Sequence, residues 1–310
     1  MISSKMVFRI ICFFALALGV FAQSNELERL SLKPPYINHG MRSLWWEYGG
    51  STVVDKKNGI FLTQDLQHQS GWLSTRLPIP ANSFEVLFQF RISSESRNLF
   101  GDGMGLFLTE ERAKSGPVFG FTDNFKGYGI FFDTYNNGRS GTVFPRVIVM
   151  QGDGKTSYDA DRDGKENEIA GCSALHLHSS DYTLGKLKFD KKSKVLRLEL
   201  AYDASSDFIK CFEMEDVNLP ATAFLTFSAI TGELSENHEI HSISSRTITD
   251  INDEFSPEIP QEELKGPSTK RSPWKRRFIF VLVTLIVVFS VFSLRSYQQK
   301  QERIRRSPVL

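Results

Sequence analysis

The stretch GPVFGFTDNFKGYGIFFDTYNN, at 116–137, carries the pattern that decides the fold. Its apolar part, YGIFFDTY at 128–135, ends in a polar turn that contains Asp133 and Asn137. Aromatic and β-branched residues favour strands, whereas Gly, Asn and Asp favour the turns that connect them. The stretch therefore predicts an apolar β-strand that ends in a loop rich in oxygen atoms.

Similar apolar runs, each broken by Gly, Asn or Asp, occur on both sides of this stretch. They contain many of the 26 Phe residues, and helical periodicity is absent except near 109–114. Many short strands with regular turn signals predict an all-β sandwich or jelly roll. The runs are FEVLFQFRI (84–92), GMGLFLT (103–109), RVIVM (146–150), VLRLELAY (195–202) and AFLTFSAITG (223–232).

The N-terminus has the layout of a secretory signal peptide. Lys5 and Arg9 precede an uncharged run at 10–22, which ends in small residues suited to cleavage after Ala22. The run is too short to span a membrane. We therefore expect a signal peptide at 1–22 and entry of the following chain into the secretory lumen.

The C-terminal part predicts a membrane anchor. Residues 278–294 are uncharged and would form a helix of roughly 26 Å, which is a short transmembrane span. Basic residues flank this run on both sides, so the signal peptide rather than the positive-inside rule orients it. The charged, Pro-rich residues 250–277 predict a stalk. The expected order is a luminal domain at 23–249, the stalk, the span and a cytosolic tail at 295–310.

Cysteine content and charge fit this compartment. After cleavage only Cys172 and Cys211 remain, and in an oxidising lumen they should form a disulfide. The net charge is +1, and the basic residues gather around the predicted span. The body of the chain has no basic stripe with interleaved aromatic residues, so nucleic acid is not expected as a partner.

Two polar loops contain candidate metal ligands. Asp133, the carbonyl of Tyr135 and Asn137 offer the hard oxygen atoms that calcium prefers, although a plain polar turn has the same composition. The segment DADRDG at 159–164 matches the first half of an EF-hand loop, but Ala170 stands where that loop needs a glutamate. We therefore expect either a solvated turn or one carboxylate, from Asp163, lent to a shared site.

A third candidate is Asp102, between Gly101 and Gly103 at the start of an apolar run. An aspartate between glycines is either a simple turn or a carboxylate with space around it for the hydroxyl groups of a ligand.

Four segments, taken in order along the chain, resemble the leguminous-type (L-type) lectins of the animal and fungal secretory pathway. This is the family of vesicular integral membrane lectins and intermediate-compartment cargo receptors. The segments are FGDGMGLFLT (100–109), GPVFGFTDNFKGYGIFFDTYNN (116–137), YDADRDG (158–164) with AGC (170–172), and TGELSENHEI (231–240).

The resemblance implies a concanavalin-like jelly-roll sandwich that binds calcium and mannose-rich N-glycans and is not an enzyme. It further implies a receptor for high-mannose glycoproteins that travels between the endoplasmic reticulum and the Golgi apparatus. Carried over by position, the calcium ligands are Asp133, the Tyr135 carbonyl, Asn137 and Asp163. The sugar contacts are Asp102, Asn137 and the backbone of Gly232, Glu233 and Leu234.

The sequence departs from the family pattern at two positions. The family pocket usually has His three positions before the residue matching Asp163, where this chain has Ala160, and often Asp where it has Glu233. The loss of His leaves open a cargo adaptor of the same fold that no longer binds sugar. A glycan hydrolase would need paired carboxylates; Glu213 and Glu215 are a candidate pair, which a polar outer strand face also explains.

The tail indicates the route of the protein. It lacks a terminal di-lysine pattern and ends in Val309 and Leu310, an apolar pair that resembles an export signal read by vesicle coat proteins. We expect a type I single-pass membrane protein of the endoplasmic reticulum, transport vesicles and Golgi apparatus. The predicted stalk is too short for a coiled-coil stem, so the sequence leaves oligomerisation open.

Replacing Val309 and Leu310 by Ala should shift the steady-state distribution of the protein toward the endoplasmic reticulum, because coat proteins would no longer recognise the tail. Fluorescence microscopy against compartment markers measures this shift. Replacing Gln298 and Gln299 in the same tail by Ala is the control. An unchanged distribution of the Val309 and Leu310 variant would refute the export signal.

Overall fold

Two antiparallel sheets face each other in the computed structural model, which describes residues 26–80, 82–96, 99–178, 181–203 and 206–253. Each sheet has seven strands, in the orders β1-β4-β13-β6-β7-β8-β9 and β12-β11-β10-β5-β14-β3-β2. The strands are β1 Trp46–Gly50, β2 Val53–Asp55, β3 Gly59–Thr63, β4 Ser70–Thr75, β5 Phe84–Ser93, β6 Gly103–Thr109, β7 Lys126–Asp133, β8 Arg146–Asp153, β9 Glu168–Ser173, β10 Thr183–Asp190, β11 Val195–Ala201, β12 Ile209–Met214, β13 Phe224–Ile230 and β14 Asn237–Thr247. The described helices are two short 3-10 turns, Glu28–Leu30 and Ala160–Arg162, so the predicted all-β sandwich is confirmed.

Phenylalanine rings fill the space between the two sheets. Phe88 of β5 meets Phe132 of β7 at 6.3 Å and Phe227 of β13 at 5.3 Å between ring centroids, while Phe90 lies 5.1 Å from Phe132. All four rings are fully buried. Burial of each ring contributes about 1.5–3 kcal/mol, so this contact between the sheets is a large part of the stability of the domain.

The central strands of the first sheet are also buried on their outer face. Phe107 of β6 stacks on Phe121 at 4.2 Å, and Phe131 of β7 stacks on Phe119 at 4.9 Å. The covering rings come from the loop between β6 and β7, which also contributes the buried Phe125. Because both faces of β7 are covered, its sequence is a continuous apolar run rather than an alternating one.

A disulfide between Cys172 and Cys211 joins the edge strands β9 and β12, one from each sheet. Both cysteines pack against the main core. The bond therefore closes the sandwich at one margin. At the other margin the chain passes directly from β1 in the first sheet to β2 in the second.

The contacts of the β-domain continue beyond 249. The carbonyl oxygen of Asp253 accepts a hydrogen bond from the Lys188 ammonium at 3.1 Å, and Arg246 pairs with the Asp253 carboxylate at 3.0 Å. The predicted signal peptide, the span, the cytosolic tail with Val309 and Leu310, and all of the stalk from 254 onward lie outside the described residues. Among the residues described, no helix has the length and apolar character needed to cross a membrane.

Replacing Cys172 and Cys211 together by Ser should lower the free energy of unfolding by about 2–4 kcal/mol, because the unfolded chain would regain the freedom of the cross-linked loop. Denaturant unfolding followed by tryptophan fluorescence measures the change. The wild-type chain treated with a thiol reductant should lose the same amount. A loss below about 1 kcal/mol in both samples would contradict a stabilising role of the bond.

Candidate functional site

Three strand ends meet at one end of the first sheet. Gly103, which begins β6, pairs with Asp133 at the end of β7 and with Ile230 at the end of β13. This register brings the loops next to these strands together around a cavity of about 500 Å³. Its lining includes Asp102, Asp133 and Asn137, so three of the residues singled out in the sequence share one cavity.

Two carboxylates are buried side by side in this region. Asp133 is 2% exposed and Asp163 is 1% exposed. Burial first, and then the negative charge of Asp163, raises the pKa of Asp133 well above its usual value, although the Tyr135 backbone N–H donates to the Asp133 carboxylate at 3.2 Å. The native protein therefore disfavours the ionised form of Asp133. A cation between the two groups would reverse this preference.

Asp163 organises the loop that follows β7. The backbone N–H groups of Asn137, Gly138 and Arg139 donate to its two carboxylate oxygens at 2.9, 3.2 and 3.1 Å. The Asn137 side-chain amide donates a fourth hydrogen bond at 2.9 Å. Asp163 has a left-handed backbone, φ 51°, immediately after the 3-10 turn Ala160–Arg162, and this aims its carboxylate at the loop. The two polar loops predicted from the sequence thus form one unit.

The oxygen atoms in this unit suit calcium. In the part of the chain that the structure describes, no three side chains of His, Cys, Asp or Glu are grouped to hold a metal. The available donors are two carboxylates, the Tyr135 carbonyl and the Asn137 amide oxygen, a set without nitrogen or sulfur. Calcium takes such ligands, whereas zinc sites use His and Cys.

The loop 231–236 forms another side of the site. An added Cβ at Gly232 would lie 3.1 Å from an Asp102 carboxylate oxygen, so glycine permits this close approach. Burial and the negative charge of Glu236 raise the pKa of Asp102. Glu233 has an exposed side chain, and its carbonyl oxygen accepts a hydrogen bond from the Gln67 amide at 2.5 Å. The Gln67 loop therefore supports the backbone beside Asp102.

The remaining predicted residues fall at different distances from the cavity. Leu234 and Tyr135 both lie against Gly101, next to Asp102, and Ala160 lines the cavity wall. Glu213 pairs instead with Arg197 on the second sheet, and Glu215 is exposed in the turn after β12. The two candidate hydrolase carboxylates therefore do not face the cavity.

A buried polar network behind the site escaped the sequence analysis. The Thr134 hydroxyl donates to Glu236 at 2.5 Å, and His238 Nε2 lies 3.0 Å from the same carboxylate oxygen. Thr63 from β3 lies 2.6 Å from His238 Nδ1. Glu236 and His238 belong to the motif TGELSENHEI, so the signal was present, but nothing in the sequence connected them to Thr134.

Comparison with known proteins gives a consistent family. A sequence profile described as the legume-like lectin family matches residues 23–255. An L-type lectin-like domain-containing protein of Schizosaccharomyces pombe is 66% identical, covering 96% of both chains. Human vesicular integral-membrane protein VIP36 is 31% identical, covering 91% of this chain and 85% of that protein.

Solved structures agree with the sequence comparison. The exoplasmic/lumenal domain of VIP36, in a form bound to Ca²⁺ and Man3GlcNAc, is similar to this chain with a TM-score of 0.66 and 32% identity. The similarity covers 76% of this chain and 96% of the solved domain. The two proteins therefore share one fold over most of the solved domain.

Replacing Thr134 by Val should destabilise the protein by about 1–3 kcal/mol, because the fully buried Glu236 would lose a hydrogen-bond donor. Thr156→Val is a matched control, since its hydroxyl also donates to a carboxylate, that of Asp153, but in an exposed turn. The control should change stability by less than about 0.5 kcal/mol. Equal free energies of unfolding for the two variants, measured by denaturant titration, would contradict the importance of the buried network.

Proposed function

The chain belongs to the legume-like lectin family, and we propose that it is a calcium-dependent lectin for mannose-rich N-glycans. The observation that supports this most is the cavity lined by Asp102, Asp133 and Asn137, with Asp163 bound to the Asn137 loop. A carboxylate beside an amide and backbone groups can bind the adjacent hydroxyl groups of a sugar. A homologous domain, that of VIP36, is described in a form bound to Ca²⁺ and Man3GlcNAc.

In this proposal the residues divide into two groups. Asp133, the Tyr135 carbonyl, Asn137 and Asp163 would hold the calcium ion, which supplies positive charge between the buried carboxylates. Asp102, Asn137 and the backbone of Gly232, Glu233 and Leu234 would bind the sugar. Asp163 already fixes the Asn137 loop through four hydrogen bonds, and a rigid loop reduces the entropy lost when sugar binds.

The predicted membrane anchor and the names of the relatives support a cellular role. We propose a type I membrane protein that carries high-mannose glycoproteins between the endoplasmic reticulum and the Golgi apparatus in transport vesicles. Its tail, which ends in Val309 and Leu310, would bind vesicle coat proteins. The name of the homologue VIP36, a vesicular integral-membrane protein, supports this location.

One observation favours a second candidate, a cargo adaptor that binds proteins without sugar. Ala160 lines the cavity where the family usually has His, which removes a side chain able to donate or accept a hydrogen bond. A pocket that forms fewer hydrogen bonds with the sugar would have a lower affinity for mannose. Binding to deglycosylated cargo would identify the adaptor.

A glycan array with the purified full chain in detergent tests the lectin proposal. We expect mannose-rich glycans to bind in calcium and to dissociate in a chelator. Asp133→Asn should abolish both calcium-dependent stabilisation and glycan binding. In the chelator this variant should unfold at a higher temperature than wild type, because it lacks a buried carboxylate whose ionised form the fold disfavours.

Asp153→Asn is the matched control. Asp153 lies in an exposed turn at the end of β8, so its replacement should leave glycan binding unchanged. Mannose binding that persists in the chelator would refute calcium dependence. Absence of any mannose signal from wild type would refute the lectin and leave the adaptor.

A further inference from the structure

The hydroxyl group of Tyr158 lies at the same cavity and is buried without a hydrogen-bond partner among the described residues. A buried hydroxyl without a partner is destabilising, because it loses its bonds to water on folding. The native structure nevertheless holds this one beside the buried carboxylates. Such a group calls for a specific partner inside the cavity.

The Tyr158 ring cannot easily turn toward solvent. It packs edge-on against Phe119 at 5.5 Å and Phe131 at 5.1 Å between ring centroids. An added Cβ at Gly164 would collide with the ring, so this glycine leaves the space that the ring needs. The Tyr158 backbone N–H also donates to Asp123 at 3.1 Å. The position of the hydroxyl is therefore set by packing.

The neighbouring carboxylates define what the hydroxyl can do. A phenolic hydroxyl keeps its proton at neutral pH, so the Tyr158 hydroxyl can donate a hydrogen bond. Asp163 already accepts four hydrogen bonds from the 137–139 loop. Asp133 accepts one from the Tyr135 N–H, and neither carboxylate accepts one from the Tyr158 hydroxyl. The proton of Tyr158 thus needs an oxygen atom within the cavity.

We propose that Tyr158 is a positioning residue that donates a hydrogen bond to a water molecule in the calcium coordination shell. Calcium takes six to eight oxygen ligands, more than the four protein groups proposed above offer as single contacts, so water is expected to complete the shell. A fixed donor beside that water orients it and favours the bound ion. This inference rests on the proposed function, because it requires that the site binds calcium.

Replacing Tyr158 by Phe should have opposite effects on stability in calcium and in a chelator. Loss of the hydroxyl should weaken calcium binding about tenfold, the lower end of the effect expected for a group that supports metal ligands. In a chelator the same substitution removes a buried group without a partner. The melting temperature of the variant should then equal or exceed that of wild type, whereas in calcium it should fall below.

Tyr128→Phe is the matched control. Tyr128 is a buried residue of β7 whose hydroxyl accepts a hydrogen bond from the Asn218 backbone N–H at 3.3 Å, remote from the calcium ligands. Its loss should lower the melting temperature both in calcium and in the chelator. Calcium affinity should stay within about twofold of wild type, since no metal-supporting group changes.

The experiment is calorimetric titration of calcium into the full-length wild type and the two variants in detergent, with thermal unfolding of each in calcium and in a chelator. Calcium affinity of Tyr158→Phe within twofold of wild type would overturn the proposal. An equal loss of melting temperature in both conditions would also overturn it, because the hydroxyl would then have a structural partner. Absence of calcium binding to wild type would instead refute the proposed function itself.

Discussion

Strand β7 is buried on both of its faces, and this constraint determines what can happen around Asp133. Phe132 packs into the core between the sheets, while Phe131 packs under the loop between β6 and β7. The Asp133 carboxylate at the end of this strand is 2% exposed. Asp163 is brought beside it and bound by the loop that follows β7. Two carboxylates are thus held together by apolar packing, and a proton or a cation would offset their repulsion.

The sequence predicts the parts of this arrangement that depend on local pattern. The apolar runs at 84–92, 103–109, 146–150, 195–202 and 223–232 all fall on strands, and the run before Asp133 is the strand that the sequence predicts there. The family resemblance groups Asp102, Asp133 and Asn137, which the fold places around one cavity. These signals lie within short segments, where strand period and turn composition can be recognised.

Contacts between distant segments could not be predicted in the same way. Thr134 and Glu236 are 102 residues apart, and no strand period relates them. Tyr158 begins the motif YDADRDG, and the composition of this motif does not show that its hydroxyl is buried without a partner. Asp253 lies beyond the boundary predicted at 249 and pairs with Arg246, which also pairs with Glu85 on the second sheet. Residues far apart in the sequence become partners only when the chain folds, so composition alone does not predict these contacts.

Residues 249–253 are bound to the second sheet, and this attachment has a mechanical consequence. Strand β14 leads into this segment and lies between β5 and β3, with backbone pairing along its length. A pull on the chain beyond Asp253, directed along β14, would load those hydrogen bonds together in shear rather than one after another. The cavity is built on the other sheet, around the ends of β6, β7 and β13. Such a pull would therefore load one layer of the domain, whereas the cavity lies on the other.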